Sequence, residues 1–239
     1  MERNNKLILI ILVILTLSVV GVCVYSVLQN CDKKISDAIK FREEYTELNN
    51  KINESNGKEY VNVTISDKNT FKYVSEEEAV KLLEDGTGVI YFGFPECPWC
   101  RSLVSSLAKV AEEKNETIYY LNILDIRSSF EIDGGKLKKI KEGSKNYYKI
   151  LDLLDEELEE FYMEDASGNK FDTSEKRLYS PTLVAINEGK ITSLHVGTVE
   201  SQESGYDELT EDQVTELENV IEKLINSKNE TEVCTKEKC

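Results

Sequence analysis

Two cysteines separated by a Pro-Trp pair, Cys97-Pro98-Trp99-Cys100, carry the chemistry most plainly written in this chain. Ahead of them runs Val89 to Phe94, an apolar stretch with the length and residue types of a buried strand. Behind them Leu103, Val104, Leu107, Val110 and Ala111 recur at helical spacing. The pattern predicts strand, short turn and helix, with Pro98 in the first helical turn, where its missing N–H is not needed. Cys97 then stands at the helix N-terminus, where unpaired backbone N–H groups and the macrodipole favour a thiolate. Cys100 lies three residues on, on the same face, close enough to close a disulfide. That is the geometry of a redox dithiol, with Cys97 as nucleophile, Cys100 as resolving thiol and Trp99 as an apolar surface beside them. Two other readings compete. An inert structural disulfide is one. The other is half a zinc site, but zinc wants a second pair at matching spacing, and His195 and Cys234 with Cys239 are far along the chain. No metal is assigned, and no cofactor beyond the redox-active pair itself.

The elements that must hold this pair occupy only part of the chain. With 239 residues there is room for one membrane segment and one domain with a full core. The formal charge of −16, from 45 acidic against 29 basic residues, excludes a nucleic-acid binder, which needs a basic footprint. Acidic groups such as Glu156, Glu157, Glu159 and Glu160 read as solvated helical surface. After a short tail (1–6), Leu7 to Leu28 is 22 residues without a charge, long enough to span a bilayer. Val20-Gly21-Val22 before Cys23 is a poor cleavage or lipidation site, so an uncleaved anchor is expected. Residues 29–57 are charged, with Ile35, Ile39, Leu48 and Ile52 too sparse for a packed face, and read as a solvated helical stalk. Cys31 at its base fits an interchain disulfide or a free thiol.

A domain is expected over 58–227. Tyr60 to Ile65 alternates as an amphipathic strand. Ser75 with Glu78 forms a capping box opening a helix that closes at Gly86. Thr117 to Ile126 reads as a second buried strand. Residues 128–177 form an excursion, helical from Lys145 to Phe161, with a hairpin turn at Ser167-Gly168-Asn169. Thr182 to Ile186 and Ile191 to Val196 make a hairpin through Asn187-Glu188-Gly189-Lys190, with Pro181 at its start. His195, the only histidine, reads as a surface residue of that hairpin. Thr210 to Asn226 is an amphipathic terminal helix. The polar tail (228–239) holds Cys234 and Cys239, which the four-residue gap lets pair as a structural disulfide.

The dithiol at a helix start and the distant Ser180-Pro181-Thr182 opening a hairpin together resemble the thioredoxin fold, across Tyr60 to Asn226. The resemblance implies an α/β fold, a central mixed sheet flanked by helices, here with a helical insertion and preceded by one transmembrane helix and the stalk. It also implies a cis peptide at Pro181 and a Ser180 backbone that pairs with an extended substrate. Phe94-Pro95-Glu96-Cys97-Pro98-Trp99-Cys100, the insertion, and Val196-Gly197-Thr198-Val199-Glu200-Ser201 are most similar to the membrane-anchored thioredoxin-like proteins of Gram-positive bacteria called bacteriocin transport accessory proteins. Two departures stand out. Tyr91 occupies the position, six before the first cysteine, where typical thioredoxins carry a buried Asp that accepts a proton from the buried thiol. Pro-Trp replaces Gly-Pro, closer to the Pro-Tyr of glutaredoxins.

The expected protein is therefore a single-pass membrane thiol–disulfide oxidoreductase acting on thiols and disulfides of envelope or secreted proteins and peptides, with a membrane partner to recycle it. The alternative is a non-catalytic adaptor for a transporter or envelope protein. Arg3 and Lys6 against Lys33, Lys34, Lys40 and Arg42 favour an inward-facing domain. The short N-tail, the family resemblance and the C-terminal cysteine pair favour an extracytoplasmic one, which is the placement adopted.

Overall fold

The computed structural model describes residues 36–229, and the segments expected as the anchor (7–28) and the cysteine-bearing tail end (Cys234, Cys239), together with Cys31, lie outside the described residues. Among the described residues no helix is long and apolar enough to cross a membrane. From Asp37 to Asn229 the described chain is one compact unit.

Its centre is β2 (Gly88–Gly93), buried along its whole length. A strand covered on both faces needs an unbroken apolar run, and Val89-Ile90-Tyr91-Phe92 supplies it. β3 (Ile118–Asn122) lies parallel to β2 on one side, with β1 (Phe71–Tyr73) parallel beyond it. On the other side β8 (Thr182–Asn187) runs antiparallel, followed by β9 (Lys190–Val196). The five strands are ordered β1-β3-β2-β8-β9, a mixed sheet.

The flanking helices follow local signals. α2 (Glu76–Asp85) opens on a complete capping box between Ser75 and Glu78. α3 (Pro98–Lys114) has Cys97 as N-cap, Pro98 in its first turn and Asn115 as a left-handed C-cap. Leu103, Val104, Leu107 and Ala111 of α3 are fully buried, each large side chain contributing about 1.5–3 kcal/mol by leaving water. α5 (Glu211–Ser227) packs Leu217, Ile221, Leu224 and Ile225 into the same core.

Three expectations need correction. The stalk reading fails from Asp37, because α1 (Asp37–Thr46) is part of the domain. Its apolar face is not the sparse aliphatic set but the aromatic pair Phe41 and Tyr45, four residues apart and both completely buried. The Phe41 ring stacks on Phe71 with centroids 3.7 Å apart. The second correction concerns Tyr60 to Ile65, which is not a strand. Val63 and Ile65 are buried and their neighbours exposed, as alternation predicts, but side chains take the place of a partner strand. Asn49 donates to the Val63 carbonyl and accepts from its N–H, both at 2.9 Å, and Ser105 Oγ accepts from Thr64 N–H.

The third is the insertion, which is helical only over α4 (Lys145–Leu153) and is otherwise two hairpins. β4 (Ser129–Asp133) and β5 (Lys136–Lys141) turn at Gly134-Gly135, both at positive φ, which glycine adopts without steric cost. β6 (Glu160–Glu164) and β7 (Lys170–Lys176) turn at the expected Ser167-Gly168-Asn169. The helical periodicity overran into a 3-10 turn at Asp155–Glu157 and then β6.

Candidate active site

β2 delivers the chain to a tight turn in which Cys97 N–H donates to the Phe94 carbonyl at 3.2 Å. α3 begins there, and the Cys97 sulfur accepts from Cys100 N–H at 3.3 Å. The same sulfur lies 3.3 Å from the Ser180 carbonyl, to which its S–H donates. The Ser180–Pro181 peptide is cis, and the pair leads directly into β8. Cys97, Cys100, Ser180 and Pro181 are thus brought together from positions 80 residues apart in the chain. Both cysteines are free thiols, Cys97 6% exposed and Cys100 not at all.

The two cysteines are three positions apart, and their environments push their acidities in opposite directions. Cys97 is held below an ordinary thiol, first by its hydrogen bond with Cys100, then by the backbone N–H groups of Cys100 and Trp99 and by Arg127, against the opposing effect of burial. Cys100 is pushed well above, first by burial and then by Cys97 itself. Two contacts lean the other way at Cys100: the Phe94 backbone and the Tyr91 hydroxyl, both favouring the thiolate.

Comparisons with known proteins add little to this geometry. No family model matches, and no curated protein matches. Among solved structures the chain is similar to the crystal structure of thioredoxin O2 from Arabidopsis thaliana in its oxidized state. The TM-score is 0.36 with 18% identity, over 68% of this chain and 99% of that one. A likeness of that degree carries no argument. The α/β reading rests on the strand order, the helix placement and the cis peptide already described.

Tyr91 is more than a departure from a pattern. It is fully buried, and its hydroxyl lies 2.7 Å from that of Tyr45 on α1. Gly93 makes room for the phenol, since a Cβ there would collide with the Tyr91 hydroxyl. Either hydroxyl can donate in this pair. Tyr91 also acts on Cys100, where it favours the thiolate.

Arg101, next after Cys100, secures this arrangement. It is 1% exposed, yet its guanidinium meets no carboxylate; it donates to the carbonyls of Tyr45 and Val61, both at 2.8 Å, and to Asn49 Oδ1 at 2.7 Å. One buried side chain therefore ties α1 and the 60–65 segment to the first turn of α3. A groove of about 740 Å³ runs past Arg101 and Lys109 along α3, but neither cysteine lines it.

Trp99 is half-buried against the loop after β9. Gly205 of that loop lies so close that a Cβ would stand 2.8 Å from Trp99 N. Buried Gln202 anchors the loop by donating to Ser102 Oγ and the Asp207 carbonyl, both at 3.0 Å, and by accepting from Thr198. His195 is not a simple surface residue: it is half-buried on β9, its Nε2 has no hydrogen-bond partner, and burial lowers its pKa. Among the described residues, no group of three or more His, Cys, Asp and Glu gathers as a metal site.

Proposed function

We infer that this chain is a thiol–disulfide oxidoreductase working through the Cys97–Cys100 pair. The observation that carries the reading is the Cys97 sulfur at a helix N-terminus, depressed in pKa, against the carbonyl that precedes a cis proline, with a second thiol sealed beneath it.

The Cys97 thiolate attacks one sulfur of a substrate disulfide, forming a mixed disulfide and releasing the other sulfur as a thiol once protonated. Cys100 then loses its proton and attacks the Cys97 sulfur. The Cys97–Cys100 bond forms, the second substrate thiol leaves, and two electrons have passed from the protein to the substrate. In reverse, the oxidised pair donates its disulfide to a substrate dithiol. The Tyr91 hydroxyl favours the Cys100 thiolate at the resolving step, against the opposing effect of burial. Ser180 and Pro181 hold the substrate backbone beside Cys97, and Trp99 adds an apolar wall.

The finer reading is a protein tethered by 7–28 with its domain outside the cytoplasmic membrane, like the bacteriocin transport accessory proteins it resembles. It would act on envelope or secreted polypeptides, need no bound cofactor, and draw its redox equivalents from a membrane partner. External protease on intact protoplasts removes the domain if it faces outward and spares it if it faces inward. Reduction of insulin by the full-length chain, lost in Cys97→Ser, tests the activity. Wild-type inactivity in both reduction and oxidative refolding would favour the adaptor reading.

A further inference from the structure

Two arginines from separate parts of the chain, Arg127 and Arg177, lie next to one another by the turn that carries Cys97. Arg127 follows β3, and its guanidinium lies over the Phe94 ring, 4.8 Å from the centroid. Phe94 is the residue whose carbonyl holds the Cys97 N–H. Arg177 leaves β7 three residues before Ser180, whose carbonyl meets the Cys97 sulfur. Its guanidinium lies over the Phe161 ring, 4.7 Å from the centroid, and donates at 2.8 Å to the carbonyl of Ser128, the residue after Arg127. The two cations repel one another, and Arg127 acts on the Cys97 thiolate.

Among the described residues, neither arginine has a carboxylate within ion-pairing distance. In a chain with 45 acidic and 29 basic residues, that is a site left without its counter-charge. Glu175 is taken up by Ser128, Tyr148 and Lys139. A second observation points the same way. Tyr147 is completely buried and its hydroxyl completes no hydrogen bond, while both guanidiniums act on it electrostatically. A buried hydroxyl without a partner is uncommon in a native fold, and an anion held here adds an acceptor where none exists.

We propose that Arg127 and Arg177 form an anion subsite beside Cys97 that takes a carboxylate flanking the reacting cysteine of the substrate. Guanidinium suits this task because its planar donors match a carboxylate and it keeps its charge when partly desolvated. The substrate part rests on the oxidoreductase reading; the subsite itself does not. The carboxylate belongs either to an acidic residue of a polypeptide or to a small thiol such as glutathione.

The test uses two alkylating agents with the same leaving group, iodoacetate and neutral iodoacetamide, on the reduced full-length chain, with modification of the Cys97 peptide followed by mass. A change in thiolate fraction alters both rates equally and cancels in their ratio. The iodoacetate-to-iodoacetamide ratio is expected to fall about tenfold in R127Q/R177Q, to fall less in each single variant, and to be largely kept in R127K/R177K. An unchanged ratio in the double variant overturns the proposal. Peptide disulfides with Glu beside the cysteine, their Gln counterparts and glutathione disulfide then separate the sources. Faster exchange with the Glu peptide, lost in R127Q/R177Q, assigns a polypeptide; a preference for glutathione disulfide assigns the small thiol. No exchange with any of the three, with the alkylation ratio intact, contradicts the proposed function and supports the subsite.

Discussion

The two sides of the first turn of α3 differ more than three residues of sequence would suggest. On the Cys97 side are backbone N–H donors, Arg127 and the Ser180 carbonyl, and a sulfur with a small opening to solvent. On the Cys100 side are phenols and apolar side chains, with no exposure at all. The same functional group becomes an acidic thiol on one side and a reluctant one on the other, because hydrogen bonds outweigh burial at Cys97, whereas burial and Cys97 itself both oppose the thiolate at Cys100. If the pair exchanges disulfides as proposed, the surroundings favour Cys97 for attack and Cys100 for resolution.

Substituting the sulfurs should break this contrast most severely. Cys97→Ser is expected to reduce exchange to background, whereas Cys100→Ser should keep the attack and accumulate mixed disulfides, read on non-reducing gels and by mass. Equal loss in both variants, with no trapped species, would remove the distinction. Next in size is Arg101→Met, which strips the 60–65 segment and the end of α1 of three hydrogen bonds from one cation. A loss of about 3 kcal/mol or more in denaturant unfolding is expected. A smaller loss than for Arg42, a half-buried arginine of α1 paired with Glu43 and Asp67, would show that α1 is held by its aromatic pair alone.

Tyr91→Phe sharpens the comparison without removing a sulfur. A hydrogen bond to a charged partner is worth about 1.5–3 kcal/mol, so the resolving step should slow about tenfold or more while the attack by Cys97 keeps its rate. Single-turnover kinetics separate the two steps. If both steps slow alike, Tyr91 acts through packing and not through its hydroxyl. The smallest effect is expected from Gly205→Ala, which pushes the loop off Trp99 N at a cost of about 1–3 kcal/mol of stability, with exchange at Cys97 largely preserved.

The dithiol and its strand and helix were readable because each depends on neighbours in sequence: an apolar run, a proline in the first turn, a repeat of buried residues. The hairpin at Pro181 was readable for the same reason. The supports of the site were not. Tyr45 reaches Tyr91 across 46 positions and Arg101 reaches Tyr45 across 56, contacts that no local periodicity encodes. The buried face of α1 was hidden because only two aromatic side chains, in a strongly charged helix, make it. The insertion misled because β5, Lys-Leu-Lys-Lys-Ile-Lys, is exposed at nearly every residue and carries no apolar alternation. Arg127 and Arg177 are each unremarkable in sequence, and only the topology brings them together.

The central claim is that Cys97 is the acidic thiol and Cys100 the buried one, and alkylation of the reduced chain with iodoacetamide across pH tests it most directly. Reactivity of a thiol with a depressed pKa is present above that pKa and is lost only as pH falls through it, whereas a raised pKa delays reactivity to alkaline pH. Mass-resolved modification is expected to show Cys97 reacting first, with a midpoint below the ordinary thiol value of about 8.5, and Cys100 protected until well above it. Modification of Cys100 before Cys97, or a Cys97 midpoint above that of Cys100, would contradict the account.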